Sequence, residues 1–261
     1  IVNNVADVTL TGESIDTSFG ASVSTAGDVN SDGYSDVIIG CNRGGRPKIY
    51  FGGSNMNNVP DVVMTNDNGR IVSDAGDVNG DGYSDVMVAR PENSNWRGTV
   101  NIYYGGTNMD NVPDIILTGE AEYEFLGTSI SSAGDVNGDG YSDVIIGAPN
   151  NDAGGSNAGR SYIYYGGIIP DAVPDVTLTG TTAGDNFGFA VNTAEDVNGD
   201  GYDDVIVGTP YDITGGNDAG RVYVYFGGLN ADTGADVIMS GADPNDLFGY
   251  SVSPAGDMNG D

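Results

Sequence analysis

The chain has 261 residues, 38 of them acidic and 8 basic, with no His and a formal charge of −30. Such charge repels nucleic acid and anionic membrane surfaces and attracts cations, and the lack of His excludes Ser-His-Asp, Cys-His and His-ligated zinc chemistry. Glycine at 43 residues and Tyr at 15 suit short strands joined by tight turns rather than helices, and no run approaches the ~20 apolar residues of a membrane-spanning helix.

The predicted elements are short strands. The first, "DVTLTG" (7–12), reads as the last strand of a preceding unit. Complete units are expected at about 18–66, 70–119, 125–180 and 187–241, with partial ones at 1–12 and 248–261. The third unit shows the pattern: "FLGTSISSAG" (125–134), "DVIIGAP" (143–149), "RSYIYYGG" (160–167) and "PDVTLTG" (174–180). Each segment is rich in β-branched or aromatic residues and is bounded by Gly, Pro, Asn or Asp. No stretch has a helical period. Four short strands per unit of about 60 residues, repeated, read as an all-β propeller of four-stranded antiparallel blades. The lone Cys41 cannot form an internal disulfide and stands where other units have Ala89, Ala148 and Thr209, so it reads as a small packing residue.

Between the first and second strands of each unit runs an acidic loop. It appears as Asp28–Asp36, Asp77–Asp85, Asp135–Asp143 and Asp196–Asp204, and a fifth copy starts at Asp257. Residues Gly76–Val86 and Gly134–Val144 are identical. Positions 1, 3, 5 and 9 are Asp, Asn, Asp and Asp in all four complete copies, and position 6 is Gly. A glycine there permits the positive φ of a sharp turn, and carboxylates drawn so close repel unless a cation joins them. Ca²⁺ accepts six to eight oxygens in flexible geometry. The candidate ligands are Asp28, Asn30, Asp32, the Tyr34 carbonyl and Asp36. The next loops repeat them as Asp77, Asn79, Asp81, Tyr83 and Asp85, as Asp135, Asn137, Asp139, Tyr141 and Asp143, and as Asp196, Asn198, Asp200, Tyr202 and Asp204. The fifth, incomplete set is Asp257, Asn259 and Asp261. Position 12 is Ile39, Val88, Ile146 or Val207, so the loops are not EF-hands, which close on a Glu between two helices. An acidic Asx-type hairpin without an ion is the alternative. Asn at position 3 removes one carboxylate and points to weak binding, ~10⁻⁴–10⁻³ M or moderately tighter.

These residues resemble FG-GAP repeats, the unit of integrin α-subunit propellers. "FG" stands at Phe19-Gly20, Phe187-Gly188 and Phe248-Gly249, and "GAP" at Gly147–Pro149, with Gly208-Thr209-Pro210 close to it. Unit two departs from the pattern, with "GRIVSDAG" (69–76) and "ARP" (89–91); unit one has "GCN" (40–42), and Leu126 separates Phe125 from Gly127. The resemblance implies a seven-bladed propeller, of which this chain would be an incomplete part; closure as a four-bladed ring is the alternative. It also implies a protein or glycan ligand on the face opposite the acidic loops. Weak calcium sites, which low cytosolic Ca²⁺ would leave empty, point to an extracellular, secreted or cell-surface setting.

Antiparallel strands place the invariant acidic loops at one end of each blade and the variable loops at the other. The variable loops are 41–47, 90–97, 149–159 and 210–219, with 66–69, 120–124, 181–186 and 242–247. Trp96, Tyr123 and Tyr211 lie there and are candidate ligand contacts or loop anchors. No distinct catalytic constellation remains once the recurring carboxylates are assigned to metal, so no enzyme is expected, and neither nucleic acid nor membrane insertion. Two readings follow: a calcium-binding adhesion or ligand-binding module, or a non-catalytic scaffold or carbohydrate-binding propeller attached to a secreted enzyme or surface-layer protein.

Overall fold

The computed structural model describes residues 6–12, 18–42, 44–64, 68–229 and 232–256. The candidate ligands Asp257, Asn259 and Asp261 lie outside them.

Four sheets follow one another along the chain, each of four antiparallel strands in sequence order. Blade 1 comprises β1 (Ser22–Gly27), β2 (Asp36–Gly40), β3 (Lys48–Tyr50) and β4 (Val62–Val63). Blade 2 comprises β5 (Ile71–Gly76), β6 (Asp85–Arg90), β7 (Thr99–Tyr103) and β8 (Ile115–Thr118), with a four-residue turn α1 (Asn93–Trp96) between β6 and β7. Blade 3 has β9 (Ser129–Gly134), β10 (Asp143–Ala148), β11 (Arg160–Tyr164) and β12 (Val176–Thr179). Blade 4 has β13 (Ala190–Glu195), β14 (Asp204–Thr209), β15 (Arg221–Tyr225) and β16 (Val237–Ser240). The label α1 is nominal, because Ser94 and Asn95 have left-handed backbones.

The burial of each strand follows its place in the stack. Every residue of β10 is buried, as expected of a strand covered on both faces by neighbouring blades. In the outer strand β8, Ile115 and Leu117 are buried while Ile116 faces out. The innermost strands β1, β5, β9 and β13 pack in succession. Three apolar clusters fill the gaps between successive blades, with Ile38 and Val88 in the first, Ile102 and Ile146 in the second, and Ile145 and Val207 in the third. Among the described residues no comparable contact joins β13 to β1, so the blades form an arc and not the four-bladed ring. The outer faces of the arc are bare: Val23 of β1 is 66% exposed, and Val237, Ile238 and Met239 of β16 are also exposed.

Residues 7–12, expected as a strand, form none. A fourth strand pairs only with the third strand of its own blade, and the described residues contain none to receive it. Cys41 is buried and its Sγ lies 3.1 Å from the Arg46 carbonyl oxygen, in keeping with a packing role.

Candidate functional site

Each first strand breaks register just before the acidic loop. Gly27, Gly76 and Gly134 make this bulge with φ of 67°, 72° and 75°. A Cβ on Gly76 would also lie 2.3 Å from Ser142 Oγ of the next blade, so glycine is required twice over. In blade 4 the position is Glu195, which holds φ of 58° on an exposed edge.

The bulge delivers the chain into a loop framed by its own side chains. In blade 2, Gly80 and Asp81 amides donate to Asp77 Oδ1 at 2.7 and 3.1 Å, and the Gly82 amide donates to Asp77 Oδ2 at 2.9 Å. The Asp81 amide also donates to Asn79 Oδ1 at 2.9 Å, and Asn79 Nδ2 donates to Asp81 Oδ2 at 2.9 Å. The Tyr83 amide donates to Asp81 Oδ1 at 3.0 Å. The Val78 amide donates to Asp85 Oδ2 at 2.9 Å, and the Gly105 amide, from the turn after β7, to Asp85 Oδ1 at 2.8 Å. Blades 3 and 4 reproduce this frame through Asp135, Asn137, Asp139 and Asp143, and through Asp196, Asn198, Asp200 and Asp204. Blade 1 does so with Asp28, Asn30, Asp32 and Asp36, with Ser31 (φ 58°) where the others have Gly80, Gly138 and Gly199. Position 6 is left-handed in all four, with Gly33, Gly82, Gly140 and Gly201 at 88–92°.

The position-9 carboxylates Asp36, Asp85, Asp143 and Asp204 are buried. Burial pushes Asp85 and Asp143 up to about 7 against the stabilising pull of two backbone amides, and the like charges at positions 5 and 1 push the same way. Asp36 and Asp204 are raised by the same causes. The exposed Asp196 is held below its ordinary value, chiefly by the Gly201 amide.

Among the described residues, no group of three or more His, Cys, Asp or Glu side chains gathers tightly enough to hold an ion. The carboxylates lean instead on backbone amides, yet the donor set still suits a hard cation. A carboxylate offers about four lone-pair directions and an amide oxygen two. The bonds above leave at least one direction open on each of Asp77, Asn79, Asp81 and Asp85.

The tyrosines at position 7 have a second role. A Cβ on Gly80 would lie 2.3 Å from the Tyr141 ring, and one on Gly138 equally close to the Tyr202 ring. Each ring covers the loop of the preceding blade. Position 8 extends this link. The Asp77 amide donates to Ser142 Oγ at 3.2 Å, and the Ser142 amide returns a bond to the Asp77 carbonyl at 3.0 Å. Ser84 clasps Asp28 in the same way, and Asp203 clasps Asp135. The acidic loops are thus chained blade to blade. The only sequence sign was a small polar residue at position 8 of every copy, which says nothing about its partner.

At the opposite end, each loop entering a blade pairs with the second loop of the blade before it. Phe125 and Tyr123 amides bond to Trp96 and Asn95 carbonyls, and Phe187 and Asn186 amides to Ala158 and Asn157 carbonyls. This pairing brings Trp96 and Tyr123 together, with rings stacked at 5.4 Å and 16°. They are 43% and 57% exposed. Tyr211 stands apart, edge-on to Phe189, which also meets Tyr250, and it packs rather than projects.

Beneath these loops lie buried polar groups that sequence reading did not single out. In blade 3, Asn151 Nδ2 donates to Glu124 Oε2 at 2.6 Å and contacts the Tyr162 hydroxyl at 3.2 Å. In blade 4 the equivalent residues are Asp185, Asp212 and Tyr223. Asp212 Oδ1 takes the Thr214 amide at 2.8 Å and lies 3.4 Å from Arg221 Nε. Asp185 is 5% exposed, and its Oδ1 is buried without a partner. Burial, then the charge of Asp212, pushes Asp185 up to about 6.

Comparison with known proteins agrees with this architecture. A family model for the FG-GAP repeat matches residues 126–164 and 187–225, and one for an FG-GAP-like repeat matches 28–88. Integrin alpha-5 of Xenopus laevis is 32% identical over 204 residues, covering 76% of this chain and 15% of that protein. Integrin alpha-6 of Homo sapiens is 36% identical over 152 residues, covering 57% of this chain and 12% of its own length. Integrin alpha-PS2 of Drosophila melanogaster is 32% identical over 188 residues, covering 66% and 13%. The chain thus spans a small fraction of the curated relatives it matches. With four meandering four-stranded blades, the repeat signatures and this similarity, the chain belongs to the FG-GAP repeat family of integrin α-like propellers.

Proposed function

We propose that this segment is part of an extracellular adhesion or ligand-binding propeller, calcium-stabilised at one end and recognising a protein or glycan at the other. The observation that carries the reading is the segregation of the two ends. The acidic end repeats one hydrogen-bonded frame four times. The other varies from blade to blade and presents the exposed Trp96–Tyr123 stack. Variable loops on a rigid scaffold are where recognition concentrates, and stacked aromatics suit a sugar ring or a protein side chain.

The ion would be held by positions 1, 3, 5 and 9 with the position-7 carbonyl. It would supply positive charge among the carboxylates of positions 1, 5 and 9 beside the core, a structural role. Burial of Asp85 and Asp143 against like charge supports this reading. No catalytic role is assigned, because the recurring carboxylates are occupied in framing the loops. The bare outer faces fit cover by further blades: Val197 is 58% exposed, whereas its equivalents Val29, Val78 and Val136 are buried.

The test combines thermal melts with and without Ca²⁺ and glycan and matrix-protein arrays, each repeated with Trp96→Ala. A Ca²⁺-dependent rise in melting temperature and ligand capture lost in the variant are expected. No response to Ca²⁺ together with no capture would overturn the reading and leave a scaffold.

A further inference from the structure

Blade 2 breaks the repeat signature at two positions that meet in space. Strand register sets Ala89 against Ile71, as it sets Gly147 against Ser129 and Gly208 against Ala190. The Arg70 amide bonds to the Ala89 carbonyl as the Gly127 amide bonds to the Gly147 carbonyl, so Arg70 stands where blade 3 has Gly127, and Gly69 takes the place of Leu126 and Phe187, which are buried in their blades. Ala89 thus matches Gly40 and Gly147, and it is Arg90, not Ala89 as the sequence suggested, that takes the place of Cys41, Ala148 and Thr209. Where blades 3 and 4 bury an apolar plug beside a small residue, blade 2 opens a polar cavity of ≈ 330 Å³. Its lining includes Asn42, Asn68, Arg70, Arg90, Glu92 and Asn93.

Two of the chain's eight basic residues meet in this cavity. Arg70 Nη2 lies 3.3 Å from Glu92 Oε1, and its Nε is buried with no hydrogen-bond partner among the described residues. Arg90 makes no ion pair among the described residues. A guanidinium cannot shed its proton, so an N–H without an acceptor persists until an outside acceptor arrives. Among the described lining residues, two guanidinium charges face one carboxylate, an excess of positive charge in a strongly acidic chain.

We propose that this cavity binds an acidic monosaccharide unit of the hexuronic acid type, its carboxylate held by Arg70 and Arg90. The surplus of one positive charge among the described lining residues matches one carboxylate, and a planar guanidinium fork matches its geometry. The volume suits one sugar ring. Asn68 and the Asn93 amide oxygen supply the donors and acceptors that ring hydroxyls need. The cavity belongs to the same end as the Trp96–Tyr123 stack. The proposal therefore rests on, and sharpens, the reading of that end as a ligand surface.

The experiment titrates the full chain with D-glucuronate, D-glucose and N-acetyl-aspartate amide by calorimetry, using wild type, Arg90→Ala and Arg90→Lys. Glucuronate is expected to bind about tenfold or more tighter than glucose, a gap of at least one charge-assisted hydrogen bond. Arg90→Ala is expected to lose that advantage without a fall in melting temperature, since alanine is the residue blade 3 uses there. Arg90→Lys keeps the charge but not the fork and falls between. Equal binding of glucuronate and glucose, or undiminished binding by Arg90→Ala, overturns the proposal. Equal or tighter binding of N-acetyl-aspartate amide overturns the sugar assignment in favour of an acidic peptide. Array capture that depends on Trp96 but is blind to Arg90 sinks this cavity and leaves the wider reading standing.

Discussion

Asp212→Asn tests whether Asp185 and Asp212 share a proton. In blade 3 the Asn151 amide donates to Glu124, a bond available at any pH. In blade 4 two carboxylates occupy the same places, and a bond can form between them only through a shared proton. Burial, and then the charge of Asp212, raises Asp185, so the proton belongs with Asp185. Asp185 moves from the ordinary 3.8 up to about 6. A group raised in the folded state contributes stability that is fully present below its unfolded value. Here that contribution is lost as pH rises from about 4 through about 6. The gap corresponds to at most about 3 kcal/mol, with a slope of up to about 1.4 kcal/mol per pH unit. Asp212→Asn supplies the amide donor of blade 3 and removes this slope. Because it also weakens the pairing with Arg221, the absolute stability at one pH is not the readout. The readout is the difference between wild-type and variant profiles from chemical denaturation in EDTA between about pH 4 and about pH 7. It is expected to change by about 1–3 kcal/mol. The raised Asp85 and Asp143 contribute to both profiles and cancel. Parallel profiles, or a carboxyl NMR titration placing Asp185 in the ordinary range, would refute the shared proton.

Three further outcomes are expected. In the metal-free protein, Asp143 contributes stability that fades as pH rises through about 7, so added Ca²⁺ should stabilise more at high pH than at low. At about 10 mM Ca²⁺ and a millimolar site the gain is about 1.4 kcal/mol per site, read as a pH-dependent melting shift. Gly76→Ala should cost more than about 1 kcal/mol, because a left-handed Cβ would strike Ser142, while Glu195→Gly should be neutral or gain a few tenths of a kcal/mol; denaturation midpoints compare them. Ser142→Ala removes the clasp on Asp77 and should cost about 0.5–1.5 kcal/mol, with faster amide exchange at Asp77 as the local sign.

Strand identity, blade count and the acidic loops were legible because each rests on short-range chemistry repeated along the chain. Period-two alternation, bounding Gly and Pro, and the Asp-Asn-Asp-Gly spacing are properties of consecutive residues. The predicted "RSYIYYGG" strand shortened to Arg160–Tyr164, since turns take the ends. The predicted fourth strand at 7–12 is absent from the described ladders, since a fourth strand pairs with the third strand of its blade and every described third strand already has its own partner. The pairing of Trp96 with Tyr123, the clasp of Ser142 on Asp77 and the opposition of Asp185 to Asp212 join residues from successive repeats. No local pattern encodes them.

From its sequence alone this protein is a tandem of four-stranded blades with an acidic turn in each. Hydrophobic period and turn chemistry act within a few residues and do not depend on what packs alongside. The stacking of one blade on the next belongs to the tertiary structure alone. It decided which carboxylates are buried, which loops touch, that the blades form an arc, and that blade 2, with Gly69 and Arg90 at the places of a buried plug and a small residue, opens a charged cavity where blades 3 and 4 close one. Burial and desolvation are set by neighbours distant in the chain, and these determine how a charged group behaves.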